Sequence, residues 1–532
     1  MTIKFLIVVP KVVARAGQYY EFPLGLAYIS AALKREGFNV SCLNLNHYDV
    51  NPKKLIEHSL KNVDVAMTGG LSAHYNQIQQ VLETARSYAK TVLGGGILSS
   101  NPEVVFNDLR PDYGVLFEGE QTIVELAKCL ESGEDVEKVQ GILRWKLNKP
   151  QFTLPRSPVV NIDALPYADY EGFEASKFLD YQMTNDNHYF YLFDKPCVLP
   201  VISSRSCPYN CTFCFHPLGN KYRMRSLNNF FDEIDLLRRQ FNINMVAVYD
   251  ELFASNTERL KDFCARIKRT GLKWIAQVRV DIKLNDNLMR MMKDAGLVCL
   301  GFGLESACNR VLASMNKHVT ATQMEQALAL TKKHGIGIQG NFIFGDIEET
   351  AETARETLAW HEKHREYQIF LTPIYPYPGT QLYRTALQKG LIEDEAEFQK
   401  VDHPTVNLSK MNNQEYAELM KTLTFLNLIT RREYAAKILT LNKVERTIKG
   451  TVYDVEAECP YCHSTIHYAR FNVDPSRDLD VEGCQTACRN CNQRFTLYFP
   501  SITSKLTKHF SLMTQYRAAT AKRKVWQKLL RL

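Results

Sequence analysis

Short apolar runs alternate with amphipathic helical stretches along most of this chain, and that alternation leaves few folds open to it. "KFLIVVP" is a buried strand, while "LGLAYISAALKREG" carries apolar residues at helical spacing and stops at Gly37. The pairing continues through "NVSCLNLN", "VDVAMTGG", the helix "NQIQQVLETARSYA", "TVLGGG" and "DYGVLFEGE". Strands separated by helices pair in parallel, because each connection must cross over and cover the sheet. Residues 1–140 therefore predict a Rossmann-like α/β domain. Residues 141–195 are less regular and aromatic, and read as a connecting segment. A second alternating series fills 196–395, from "CVLPVISS" to "YQIFLTPIYPYPGT", and holds six strand–helix units. Six units suit a partial, open (β/α)6 barrel of the TIM type, with reactive groups at the strand C-termini. Residues 396–450 read as mostly helical, 451–500 as short strand pieces around cysteines, and 501–532 as a basic helix.

No apolar run is long enough for a transmembrane helix. The opening "MTIKFLIVVPKVV" lacks a small-residue cleavage site and reads as a first strand, so a cytoplasmic protein is expected. The formal charge of +7 is uneven: residues 503–532 hold eight Lys or Arg and no acid, leaving the remainder close to neutral. That distribution argues against a nucleic-acid-coating protein. In the tail, Leu506, Phe510 and Met513, then Val525, Leu529 and Leu532, recur at helical spacing between basic residues. Such a helix either packs on the preceding segment or rests on an anionic membrane surface.

The chain has 14 cysteines. Cys42, Cys129, Cys197, Cys264, Cys299 and Cys308 are scattered and read as small buried hydrophobes. The other eight are clustered, which in a cytoplasmic chain indicates metal rather than disulfides. Cys207, Cys211 and Cys214 are spaced C-x₃-C-x₂-C directly after the first strand of the second series. Three thiolates on so short a loop can hold three irons of a [4Fe–4S] cluster and leave the fourth iron open. Pro208, Asn210 and Thr212 suit the turn. A zinc reading would need a further ligand such as His216. The same spacing recurs at Cys484, Cys488 and Cys491, but Cys459 and Cys462 lie upstream. Two C-x₂-C knuckles, Cys459/Cys462 and Cys488/Cys491, separated by 25 residues, have the form of a zinc ribbon. Four thiolates would support a segment too small to fold on its core alone. Single iron and an auxiliary iron–sulfur cluster are alternative occupants, and Cys484 becomes an extra cysteine. Glycines close two strands of the first series, Gly69-Gly70 and Gly94-Gly95-Gly96. They serve either a close approach to a ligand or plain tight turns.

With the aromatic Phe213 before its last cysteine, the first triplet resembles the signature of the radical S-adenosylmethionine (SAM) superfamily. Further stretches carry the resemblance across about 200 residues. Arg223, Met224 and Arg225 resemble the segment that follows the cluster. Tyr249-Asp250-Glu251 ends the second strand, where the family places groups contacting the methionyl amine. "GLES" resembles a fourth-strand motif in which Glu305 would face SAM. "NFIFGDIE" matches G-x-I-x-G-x-x-E at Ile343, Gly345 and Glu348, with Asn341 in place of the first glycine. "YPYPGT" resembles the end of the same core. The resemblance implies reductive cleavage of SAM to a 5′-deoxyadenosyl radical, which removes hydrogen from a substrate carbon. It also implies a one-electron reductant of the flavodoxin or ferredoxin type. Arg279, near the end of the third strand, would pair with the SAM carboxylate or form a rim salt bridge.

Residues 1–140 resemble the cobalamin-binding domain that precedes this core in a large subgroup, through "FPLGLAYISAALKREGFNV", "TVLGGGILSSNPE" and "DYGVLFEGEQTIVEL". The resemblance places Gly94, Gly95 and Gly96 near the nucleotide tail of B12 and Ser72 within the same pocket. The D-x-H-x-x-G motif is absent; "NLNHYD" holds His47 without the pattern. Methylthiotransferases need three cysteines in this domain, and only Cys42 and Cys129 precede Cys197. The expectation is a cobalamin-dependent radical SAM enzyme that methylates an unactivated carbon of a small-molecule or lipid substrate. Cyclisation, ring contraction or carbon–carbon coupling without methyl transfer is the second reading. A zinc-ribbon nucleic-acid adaptor with a vestigial barrel is the third.

Overall fold

The computed structural model describes residues 3–184, 190–253, 256–401, 403–447, 450–473, 483–499, 512–515, 517 and 521. The chain divides into two compact units, Met1–Phe178 with Ser203–Ile234 and Tyr375–Val406, and Leu179–Ile202 with Asp235–Ile374 and Asn407–Leu532.

In the first unit, β1 (Lys4–Val9), β2 (Asn39–Asn44), β3 (Val65–Gly69), β4 (Lys90–Gly94), β5 (Tyr113–Val115), β6 (Ile142–Lys146) and β7 (Lys149–Phe152) form one sheet in the order β2-β1-β3-β4-β5-β6-β7. The first five are parallel. β1 is buried on both faces from Phe5 to Val9, so its sequence reads as a continuous apolar run rather than an alternating one. The order 2-1-3-4-5 reverses direction at β1, and ligands of such sheets sit in the crevice beyond the strand C-termini at that point. β6 and β7 extend the sheet with an antiparallel hairpin. Its two-residue turn has Leu147 at φ 51° and Asn148 at φ 60°, the left-handed pair that matches strand twist. A short ladder of β9 (Ser204–Arg205) with β10 (Arg223–Met224) completes this unit's strands and closes the loop that carries the first cysteine triplet.

In the second unit, β8 (Val198–Val201), β11 (Met245–Val248), β12 (Lys273–Val278), β13 (Leu297–Glu305), β14 (Gly337–Phe344) and β15 (Phe370–Pro373) are all parallel and stand in sequence order. Among the described residues no ladder joins β8 to β15, so the sheet is open. Helices Thr257–Thr270, Asp286–Asp294, Ala321–Lys333 and Ala351–Lys363 return the chain between strands. Each begins at a side-chain cap: Asn256, Asn285, and capping boxes at Thr320 and Thr350. Trp274 is fully buried on β12 and donates Nε1–H to the Ala295 carbonyl oxygen at 3.0 Å. Its ring meets those of Phe253 and Phe263 edge-on, at 5.7 and 5.0 Å between centroids.

The expectation of a mostly helical 396–450 is met by Glu395–Lys400 and Asn413–Glu433 but not beyond them. Lys437–Thr447 is an eleven-residue strand, β16, paired antiparallel with β17 (Gly450–Glu458), which pairs in turn with β18 (Thr465–Val473). It is an edge strand with little buried surface, so its sequence lacks an apolar alternation; Lys437, Lys443 and Arg446 populate the exposed edge. β19 (Cys484–Ala487) and β20 (Arg494–Leu497) form a second hairpin. The basic helix expected over 501–532, with its membrane contact, lies almost wholly outside the described residues. No described helix is long and apolar enough to cross a membrane.

Trp274→Ala removes the largest fully buried side chain of the second unit and leaves a cavity beneath the strands. It should lower stability by about 3–5 kcal/mol, read as a shift of the chemical denaturation midpoint.

Candidate functional site

The first cysteine triplet sits on a loop whose two ends are pinned together in the first unit. Ser206, at φ 68°, donates its hydroxyl to the Leu218 carbonyl oxygen at 3.0 Å. The Arg223 guanidinium donates to Ser206 Oγ (3.1 Å), to the Leu218 carbonyl oxygen (3.3 Å) and to the Lys221 carbonyl oxygen (2.9 Å). Further along, the Thr212 carbonyl oxygen accepts the Leu382 amide at 3.1 Å. A Cβ on Gly379, which has φ 83°, would fall 2.5 Å from the Phe215 ring, so the glycine of "YPYPGT" is what lets that ring lie against the turn. Cys207 and Cys211 are half-buried and Cys214 is exposed, whereas the scattered Cys264, Cys299 and Cys308 are buried. Three accessible thiols on one closed loop are a donor set suited to a cluster. His216 directs Nε2 at the Tyr209 carbonyl oxygen (3.0 Å), which places it in the loop's own hydrogen bonding.

In the second unit the expected SAM-contacting residues gather at the strand C-termini. Asp250 follows β11 and is buried, and Glu251 beside it is exposed. Arg279 follows β12, buried, and pairs with Asp281 through Nε and Nη2 at 3.0 Å each. Its Nη2 also donates to the Lys317 carbonyl oxygen at 2.6 Å. Glu305 ends β13 in a left-handed conformation, φ 65°, where the β13–β14 register shifts. Strain of this kind persists only where surroundings impose it. The imposing partner is Lys317, whose Nζ lies 2.7 Å from Glu305 Oε1. Gly303 makes room for the pair, since a Cβ there would come 2.6 Å from Lys317 Nζ. Sequence reasoning missed Lys317. The one signal was a lysine in "SMNKHVT" within an otherwise packed turn, and a lone lysine reads as surface.

At the end of β14, Ile343 is half-buried and Gly345 has φ 113°. The glutamate that holds this turn is Glu349, not the motif-matched Glu348. Glu349 is 1% exposed and its Oε2 accepts the Gly345 amide; the Glu348 side chain is 42% exposed and pairs with Lys410. Asp346 is buried beside it and accepts the Ser314 hydroxyl. Burial pushes the Asp346 carboxyl up, and pushes Glu349 up to about 8, with Asp346 adding repulsion.

Beyond the C-termini of β3 and β4 the two glycine runs lie backbone against backbone. A Cβ on Gly69 would fall 2.7 Å from the Gly94 carbonyl oxygen, and one on Gly95 (φ 88°) 2.8 Å from that of Gly70. A Cβ on Gly96 would fall 3.0 Å from Leu71 and 3.8 Å from Pro217 of the cysteine loop, so the glycine end and that loop are neighbours within one unit. Ser72 opens a one-turn helix after β3 and is half-buried. The bare backbone lets the two runs pack directly against each other at the strand ends, which any side chain there would prevent. His47 is engaged at both ring nitrogens, with Tyr20 Oη at 2.6 Å and Glu174 Oε2 at 2.7 Å.

Cys459, Cys462, Cys488 and Cys491 bring their sulfurs within 4.8 Å of one another. Two pairs stand at 3.8 Å (Cys459–Cys491) and 3.7 Å (Cys462–Cys488). A tetrahedron of metal–sulfur bonds of about 2.3 Å has edges of about 3.8 Å, so the donors fit such an ion. Backbone amides of Tyr461 and Asn490 point at Cys459 Sγ and Cys488 Sγ, at 3.4 and 3.3 Å. Cys484 is buried in β19 and stands outside this group. The second knuckle docks where β14 begins: Asn492 Nδ2 donates to the Gly335 carbonyl oxygen (3.0 Å) and Gln493 Nε2 to that of Ile336 (3.1 Å). The four-cysteine centre therefore belongs to the N-terminal face of the sheet, opposite the strand ends that hold Arg279 and Glu305.

Comparison with known proteins agrees with both halves of this arrangement. A profile of the Radical SAM superfamily matches residues 201–361, and one of the B12 binding domain matches residues 10–127. The chain is 28% identical over 411 residues to an uncharacterized methyltransferase of Pyrococcus horikoshii, covering 75% of this chain and 86% of the relative. It is 24% identical over 517 residues to the anaerobic magnesium-protoporphyrin IX monomethyl ester cyclase of Rubrivivax gelatinosus, covering 91% and 90%. Its fold is similar to that of the radical S-adenosylmethionine methyltransferase TsrM from Kitasatospora setae, solved with cobalamin and a [4Fe–4S] cluster bound. That match has a TM-score of 0.60 at 19% identity, over 73% of this chain and 76% of the other.

Cys488→Ser should abolish metal retention at the four-cysteine centre in elemental analysis, while Cys484→Ser should leave it unchanged. The raised Glu349 carboxyl also sets a pH dependence. Between its ordinary value of 4.5 and about 8 the folded chain holds a proton that the unfolded chain has released. Stability therefore falls as pH rises across that window and levels off above it. Glu349→Gln should flatten this part of the stability–pH profile and raise the denaturation midpoint at neutral pH.

Proposed function

This chain belongs to the radical SAM superfamily, in the group that carries a B12-binding domain, and from that premise we propose that it methylates an unactivated carbon of a small-molecule substrate. The observation that carries the proposal is a closed loop of three accessible thiols beside the glycine-rich end of a B12-binding domain. A bound [4Fe–4S] cluster, SAM and cobalamin together supply radical formation by reductive SAM cleavage and a carrier for the methyl group. The chain's own part is holding, orienting and shielding. Cys207, Cys211 and Cys214 would hold the cluster, with Phe213 packing within the same turn. Asp250, Glu251 and Arg279 are the polar groups available to the amine and carboxylate of SAM. Glu305, held by Lys317, would accept from a ribose hydroxyl. The Gly345 turn, fixed by Glu349, would present backbone and Ile343 to the adenine. Gly94, Gly95, Gly96 and Ser72 would line the cobalamin cleft, with no histidine on cobalt. At the other face, Cys459, Cys462, Cys488 and Cys491 would hold a structural zinc ion. A flavodoxin- or ferredoxin-type protein would deliver the electron.

The similarity to a cyclase over nine-tenths of the chain keeps radical chemistry without methyl transfer as the second reading. Anaerobic incubation of reconstituted protein with a chemical reductant, methyl-labelled SAM and extract from cells lacking the gene product separates the two. The expected result is 5′-deoxyadenosine together with label in a product one CH₂ heavier than its precursor. 5′-Deoxyadenosine with an unlabelled new product would favour the second reading, and no 5′-deoxyadenosine would overturn both.

A further inference from the structure

Beneath the cysteine loop lies a cluster of four charges, of which only Arg223 has entered so far, as a pin of the loop. Arg205 and Arg223 come from the two strands that close the loop, and Glu118 and Glu120 from "LFEGE" at the end of the first series. Arg205 donates to Glu118 Oε1 at 2.9 Å and to Glu120 Oε1 at 2.6 Å, and Arg223 donates to Glu118 Oε2 at 2.7 Å. All four side chains are between 4% and 7% exposed. Burying four charges is costly, and the cost is met only where each finds its partner in good geometry. Here every charge does. Glu118 bridges the two guanidinium groups and also accepts the Val159 amide at 2.8 Å. Arg223 reaches the Val159 carbonyl oxygen at 2.8 Å as well as the loop carbonyls described above. The Arg205 guanidinium lies over the Tyr28 ring, 5.2 Å from its centroid. Gly119, between the two glutamates, admits this geometry, since a Cβ there would come 2.8 Å from Ile29.

Two consequences follow from the placement. The network joins the B12-binding domain directly to the base of the cysteine loop, so the loop's shape depends on carboxylates outside the radical SAM domain. The cluster of charges is also balanced, two positive against two negative, in a dry region where screening is weak. Arg205 stands two residues before Cys207 in the chain. Any imbalance there acts on whatever charge the loop carries.

We propose that Glu118 and Glu120 are positioning residues that fix the cysteine loop and, by neutralising Arg205 and Arg223, set the reduction potential of the iron–sulfur cluster it holds. The proposal rests on the reading of Cys207, Cys211 and Cys214 as cluster ligands. Reduction adds one negative charge to a cluster, so uncompensated positive charge nearby favours the reduced form.

The test is a potentiometric titration of the reconstituted full chain, followed by electron paramagnetic resonance, with iron and sulfide content measured first. Glu118→Gln and Glu120→Gln keep side-chain shape and remove one negative charge each; both should raise the midpoint potential. Arg223→Gln removes a positive charge and should lower it. The double variant E118Q/R223Q restores neutrality and should return the potential toward wild type. Loss of packing alone would not produce shifts of opposite sign that cancel in combination. Should Glu118→Gln fail to fold, Glu120→Gln, which touches only the Arg205 side of the network, carries the same expected sign. Variants that load a full cluster at an unshifted potential would overturn the proposal. A wild-type chain that takes up no cluster at Cys207, Cys211 and Cys214 would overturn the functional reading, and this proposal with it.

Discussion

Parallel pairing decides where chemistry can sit in both units. A parallel strand must be followed by a crossover, so all strand C-termini open on one side and all returning connections close the other. In the second unit this brings Asp250, Arg279, Glu305 and Gly345 to one edge although nearly a hundred residues separate the first from the last. In the first unit it brings Gly69-Gly70 beside Gly94-Gly95. The four-cysteine hairpins obey a different rule, being antiparallel and locally connected, and they dock at the other end of β14. One geometric constraint thus separates groups suited to reaction from groups suited to support.

Within that frame, glycine and charge do complementary work. Glycines at positions 95, 303 and 379 each vacate the volume a neighbour needs: a backbone carbonyl, the Lys317–Glu305 pair, and the Phe215 ring. The charges that move into such spaces are paired on arrival. Arg279 meets Asp281, Lys317 meets Glu305, and Arg205 and Arg223 meet Glu118 and Glu120. The strained φ of Glu305 shows the same economy, because its ion pair holds a conformation the backbone alone would leave.

Much of this was legible in the sequence. Strand–helix alternation predicted both parallel sheets, since buried strands and amphipathic helices differ in period. The knuckles Cys459/Cys462 and Cys488/Cys491 were legible because tetrahedral ligation needs that short spacing, and Cys484 duly stands apart. What escaped depended on long-range contact. Lys317 and Glu349 are ordinary residues until a fold buries them; Glu348 fits the motif's spacing, but the turn after Gly345 points Glu349 inward. The β6–β7 hairpin hid because four- and five-residue strands give too few alternations. The strand Lys437–Thr447 hid because an edge buries too little to show any.

The docking of the second knuckle against Gly335 and Ile336 has a thermodynamic meaning. Two side-chain hydrogen bonds tie the four-cysteine hairpin to the turn that launches β14, and β14 ends at Phe344, just before Gly345. Free energy released by a metal binding there would be shared with a strand that runs the full depth of the sheet. An ion held there takes no part in any bond made or broken at the far end. A metal bound there would act earlier, as a condition of assembly and not of reaction.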